Sequence, residues 1–228
     1  MRWTLVLALG FVLGACCFGA DARSSAPEPV APAASIVAPI PSFTTGPSAP
    51  GCPDLSVAIV GAWTREGVSE EYRADGTYTL NGRPGTVTWI RPGHAMIDVP
   101  SAAFHMEYDV ALADAMTLVS SDPSQIGAIA TRTTPPPAIP ATCFDLSAAW
   151  VGTWTPVAGG ESEQYSPDGT YAAPGIGRWS FSAPGRLHLV NVDGAASDYV
   201  LGMATTSSAI AVSLPPLGPL GVVYTRAR

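Results

Sequence analysis

"CPDLSVAIVGAWT", residues 52–64, returns as "CFDLSAAWVGTWT", residues 143–155. Further along, "EEYRADGTY" (70–78) is matched by "EQYSPDGTY" (163–171). "GTVTWIRPG" (85–93) is matched by "GRWSFSAPG" (177–185), and "GAIATR" (127–132) by "GVVYTR" (221–226). The order is kept, and the offset between matched residues stays between 91 and 94. Self-similarity at a fixed spacing over this length reports an internal duplication. The spacing predicts two copies, residues 52–133 and 143–228, with a Pro-rich linker at 134–142, "TPPPAIPAT".

Within each copy the apolar period is two, which predicts strands. In Ile59-Val60-Gly61-Ala62-Trp63, positions 59, 61 and 63 are expected to share one strand face. Asp75-Gly76 and Asp168-Gly169 sit between apolar-alternating runs and predict tight hairpins. Pro92-Gly93 predicts another turn. Eight strands of ~6 residues with seven connections of ~4 need about 76 residues, slightly less than each copy supplies. No helix of any length is expected. An antiparallel meander of this size hides its edges by closing into a barrel or folding into a sandwich.

Gly61-x-Trp63 on the first strand and Arg132 on the last resemble the lipocalin and wider calycin pattern. Gly152-x-Trp154 and Arg226 repeat it. With the "DGTY" hairpin, each copy is similar to the small lipocalin-like domains of bacterial secreted proteins. The resemblance implies an all-β chain: two tandem, separate, small antiparallel up-and-down β-barrels of about eight short strands each. It also implies a structural latch in each copy, Trp63 with Arg132 and Trp154 with Arg226, in which guanidinium over indole contributes about 0.5–2 kcal/mol. An eight-stranded barrel is either plugged by its own side chains or holds one small ligand. Trp63, Tyr72, Tyr78, Trp89 and Met96 are the large residues expected to plug the first copy.

The N-terminal segment reads as an export signal. Arg2 precedes the apolar run Leu5 to Leu13, which is too short to span a bilayer. Leu13-Gly14-Ala15-Cys16 resembles a bacterial lipobox, which implies a signal peptide over 1–20 with lipidation of Cys16. The rival reading is ordinary cleavage after Ala20-Asp21-Ala22. Residues 21–51 are rich in Pro, Ala and Ser, with neither helical nor strand period, and are expected to be a disordered tether. At ~3.1 Å per residue in polyproline II, such a tether reaches on the order of 90 Å.

The remaining chemistry is sparse. All eleven basic residues are arginine, and the net charge is −7. An acidic chain without a basic cluster argues against nucleic-acid partners. The four cysteines show no zinc spacing. Cys52 and Cys143 hold the same place in each copy. Were the copies related by a pseudo-two-fold axis, these two would lie close together and form a disulfide in an oxidising compartment. Unpaired thiols, or a bridge to Cys17, are the other readings. His94, His105 and His188 are not reproduced between copies, so no metal site is expected. Glu70 with Tyr72, and Glu163 with Tyr165, share a strand face and suit either acid–base work or a structural role near the latch.

The expected function is therefore that of a non-enzymatic exported lipoprotein without cofactor, held in the cell envelope (periplasm or cell surface) by its N-terminal lipid. Its tandem-barrel head would act as a structural or protein-contact module for an envelope or extracellular partner. The alternative is lipocalin-like binding of a small hydrophobic ligand.

Overall fold

The structure, a computed structural model, describes residues 52–173 and 175–227. The leader, Cys16, Cys17 and the 21–51 tether lie outside the described residues.

The first copy supplies strands β1 (Gly61–Arg65), β2 (Val68–Tyr72), β3 (Thr77–Leu80), β4 (Arg83–Arg91), β5 (His94–Val99), β6 (Phe104–Asp114), β7 (Thr117–Ser121) and β8 (Gly127–Arg132). Each pairs antiparallel with the next. β8 returns to β1 through Trp63↔Arg132 and Thr64↔Thr131, which closes an eight-stranded barrel. The second copy supplies β9 (Gly152–Pro156), β10 (Glu163–Tyr165), β11 (Thr170–Ala173), β12 (Gly175–Ala183), β13 (Arg186–Val190), β14 (Ala196–Thr205), β15 (Ser208–Ser213) and β16 (Gly221–Arg226). These form a further eight-stranded antiparallel sheet, in which β16 also pairs with β9 through Trp154↔Arg226 and Thr155↔Thr225.

The Asp-Gly hairpins form as their chemistry requires. Asp75 Oδ1 accepts the Thr77 N–H at 2.9 Å, and Gly76 sits at φ +80°. Asp168 does the same for Thr170, with Gly169 at the same φ. The turns place Tyr72 opposite Tyr78 and Tyr165 opposite Tyr171.

Three expectations are corrected. Ile59 is not on the first strand: Leu55–Ala58 form one helical turn (α1), which Ile59 ends, and Leu146–Trp150 (α2) repeat it. Met96 does not fill the barrel. A bulge between Trp89 and Arg91 pairs Trp89 with Ala95, so Ala95, Ile97 and Val99 are buried and Met96 takes the other face. Nor are the copies separate. β6 and β14 pair at Leu112↔Met203, giving one continuous sheet. The first copy's core also takes in Val200, Ala204, Ile210 and Val212 from the second.

The joint has the reciprocity of a two-fold axis. A Cβ at Gly93 would run into Ala204, and one at Gly185 into Ala113, the same contact with the copies exchanged. Equivalent residues meet where the axis passes. Leu112 pairs with Met203, and Gly127 packs against Gly221 so closely that a Cβ on either would come within 3 Å of the other's backbone. Cys52 and Cys143 are joined in a disulfide, with Cα atoms 5.6 Å apart. The linker lies along the fold: Thr134 Oγ1 accepts from the Ala62 N–H at 3.1 Å, and Ile139 packs on the first core.

Candidate functional site

The latch residues meet in both copies. The Arg132 guanidinium carbon stands 4.1 Å from the Trp63 ring centroid. Its three nitrogens donate to the carbonyls of Ala115 (2.9 Å), Val60 (2.6 Å) and Ala58 (2.5 Å). Two of these carbonyls belong to the end of the α1 turn, where no further helical donor arrives. The indole Nε1–H of Trp63 donates to Ile59 O at 2.8 Å. Gly61, at φ +137°, leaves the room the guanidinium needs, since a Cβ there would sit 2.6 Å from Arg132 Nη1. In the second copy Arg226 lies 4.8 Å over Trp154 and donates to the carbonyls of Val151 (3.1 Å) and Ala149. Among the described residues its Nε, although buried, has no hydrogen-bond partner. Both arrangements hold strand ends together and expose no reactive group.

Next to each latch is a carboxylate, brought in by cross-strand pairing of Trp63 with Glu70 and of Trp154 with Glu163. Around it the two copies differ. In the first, Arg65 Nε lies 2.8 Å from Glu70 Oε1, and the Tyr72 hydroxyl donates to Glu70 Oε2 at 3.1 Å. Glu70 is 5% exposed. Arg65 also reaches over the Tyr108 ring. This interior is stoppered by an ion pair and its surrounding phenols.

In the second copy the position of Arg65 is Pro156, that of Ala130 is Tyr224, and that of Ile59 is Trp150. The Tyr224 hydroxyl donates to Glu163 Oε1 at 3.1 Å, and the Tyr165 hydroxyl donates to Oε2. Burial first, then the Glu163 charge, pushes both phenols far above the usual tyrosine range, so they stay protonated donors. The Tyr171 hydroxyl donates to Asn191 Oδ1. Between these groups is a cavity of about 140 Å³, lined by Glu163, the tyrosines 165, 171, 199 and 224, Trp150, and aliphatic residues including Leu187 and Ala211. Its volume is close to the ~150 Å³ of cavities that accept benzene, but it is partly open and its accessible walls are more polar than apolar.

Matched against protein-family models, curated proteins and solved structures, the chain finds no counterpart.

The three histidines are engaged on the sheet. His94 lies between Asp109 and Glu107, 3.0 Å from each; His105 faces Asp98 and His188 faces Asp198. Among the described residues, no group of three or more His, Cys, Asp or Glu side chains is placed to hold a metal. Glu70, Tyr72, Glu163 and Tyr165 were singled out in the sequence, and the structure joins each Glu to its Tyr. Trp150, Tyr199 and Tyr224 were missed. For Trp150 and Tyr224 the signal was available in the mismatches between the copies, Ile59 against Trp150 and Ala130 against Tyr224; Tyr199 instead matches Tyr108.

Proposed function

We propose that this chain is a non-enzymatic envelope lipoprotein with two small lipocalin-like barrels, the first a structural support and the second a small-molecule binding module. The observation that carries this reading is the 140 Å³ cavity in the second copy, set against the ion-paired interior of the first. An interior with a few convergent polar groups and mostly aromatic or aliphatic walls is the common form of a ligand site. The phenols, held protonated, donate hydrogen bonds to Glu163. Support for the anchor is the Leu13-Gly14-Ala15-Cys16 lipobox, and a mature N-terminus beyond Cys16 with no acyl chain would overturn it.

The binding reading is tested by filling the space. Ala211 lines the cavity from β15. Small amphipathic compounds are expected to raise the melting temperature of the native chain, and Ala211→Phe is expected to abolish those shifts. If no compound of benzene to indole size shifts the native protein, the lumen is not a receptor.

A second reading, a protein-contact head, is favoured by one observation. A groove of about 410 Å³ runs along the seam between the copies, lined by Val68, Ile126, Ile129, Val212, Leu214 and Pro219 among others. Ile126 and Leu220, which pair across that seam, remain more than half exposed.

A further inference from the structure

The copies hold the same carboxylate in the same place, and among the described residues only Glu70 has a cation paired with it. Glu70 has Arg65. Among the described residues no ion pair reaches Glu163, because Pro156 stands where the arginine would be. Glu163 accepts one hydrogen bond on each oxygen, from Tyr165 and Tyr224. A carboxylate has about four acceptor positions, so roughly two remain open. Glu163 is half-buried and lines the cavity, and a partly desolvated carboxylate favours a cationic partner.

The walls changed in the same direction as the charge. Trp150 replaces the aliphatic Ile59, and Tyr224 replaces Ala130. The Trp150 ring lies 4.9 Å from Tyr165 and 5.8 Å from Tyr224, centroid to centroid. Tyr171 stacks on Tyr165 at 5.7 Å. Aromatic faces carry negative potential and attract cations, most strongly where water is excluded. Trp150 is fully buried, and its Nε1–H has no acceptor. The second lumen thus combines a carboxylate that has no ion pair among the described residues with an aromatic wall.

We propose that the second lumen binds a compact organic cation, a quaternary or protonated amine of roughly six to eight heavy atoms, with Glu163 as its counter-ion. This rests on reading the lumen as a binding site. The ligand's charge replaces the guanidinium that the first copy supplies internally. An anionic ligand meets Glu163 as a like charge, and a neutral one leaves it unpaired.

The test uses the full chain and three probes of one shape. These are choline, its neutral isostere with carbon in place of nitrogen, and the trimethylacetate anion. Calorimetric titration is expected to show choline binding at least about tenfold tighter than the isostere, with no binding of the anion. Glu163→Gln, which keeps acceptor oxygen for the tyrosines, is expected to weaken choline at least about tenfold and leave the isostere within about twofold. The charge series on the native protein stands even if that variant folds poorly. Equal affinity for choline and the isostere, or an unaffected E163Q, overturns the cation inference and leaves the lumen as a neutral site. Failure of every probe, together with no response to the wider set of compounds, overturns the binding reading itself.

Discussion

Arg132 is buried to 2% exposure with three carbonyl partners and an indole face, and with no carboxylate among those partners. Its role is to satisfy the backbone where a helical turn ends. Removing it strips the cation–π contact and strands carbonyls that water reaches poorly. Arg132→Ala is expected to cost about 3 kcal/mol in urea unfolding. Arg226→Ala is expected to cost about 1–2 kcal/mol, because its Nε is already unpaired and it is less deeply buried. Equal losses would show that the carbonyl contacts contribute little. The repeated Gly-x-Trp and closing Arg made these four residues legible in the sequence. The change from Arg65 to Pro156 was not, because matching two copies draws attention to what they share. The lumen keeps the shared Glu163, Tyr165 and Tyr171 and adds Trp150 and Tyr224, which the first copy does not have.

Hairpins were legible at the level of elements, because Asp-Gly states its own turn geometry. The one-turn helices were not. Four or five residues carry too little periodicity to separate a helical turn from a strand, and α1 and α2 are kept by tertiary contacts such as Trp63 Nε1–H to Ile59 O rather than by propensity. Counting back from Pro92-Gly93 puts Met96 opposite Trp89, and the single bulged residue, Ile90, reverses that parity. The second copy bulges in the corresponding place, between Phe181 and Ala183. The two Asp turns set a pH dependence. Hydrogen bonds from the Thr77 and Thr170 hydroxyls and N–H groups hold the carboxyls of Asp75 and Asp168 below their ordinary 3.8. A depressed folded pKa adds stability that is complete above the unfolded value and is lost as pH falls through the folded one. The melting temperature is therefore expected to drop as pH is taken below 3.8, and the double variant D75N/D168N to show a shallower drop. A parallel fall in variant and native chain would remove these turns as its source.

Across the whole molecule, the disulfide closes a loop between residues 91 apart in sequence. In the chain-entropy model, constraining such a loop in the unfolded state is worth on the order of 4–5 kcal/mol, and removal of native bridges commonly costs about 2–5. Cys52→Ala with Cys143→Ala is expected to lower unfolding stability within that range. Residues 52–133 made alone would lack Val200, Ala204, Ile210 and Val212 from their core. That half is expected to show no cooperative thermal transition, and a sharp one would mean that the halves are energetically independent after all. The duplication and its symmetry were readable from matched words and matched cysteines. The extent of fusion was not, since Ala113, Gly93, Ala204 and Gly185 look like ordinary small residues until the copies are docked.

The reciprocal seam has a consequence for how such a protein can change. Two identical subunits meeting on a two-fold axis must alter together, because one coding position writes both. A mutation that removed the arginine from one interior would remove it from the other, and both would lose their internal counter-ion. Carried in one polypeptide, the halves keep the contact surface of twins while their interiors are inherited separately. Arg65 and Ala130 in one half, against Pro156 and Tyr224 in the other, are such a divergence: the seam stays shared while the residues around each carboxylate differ.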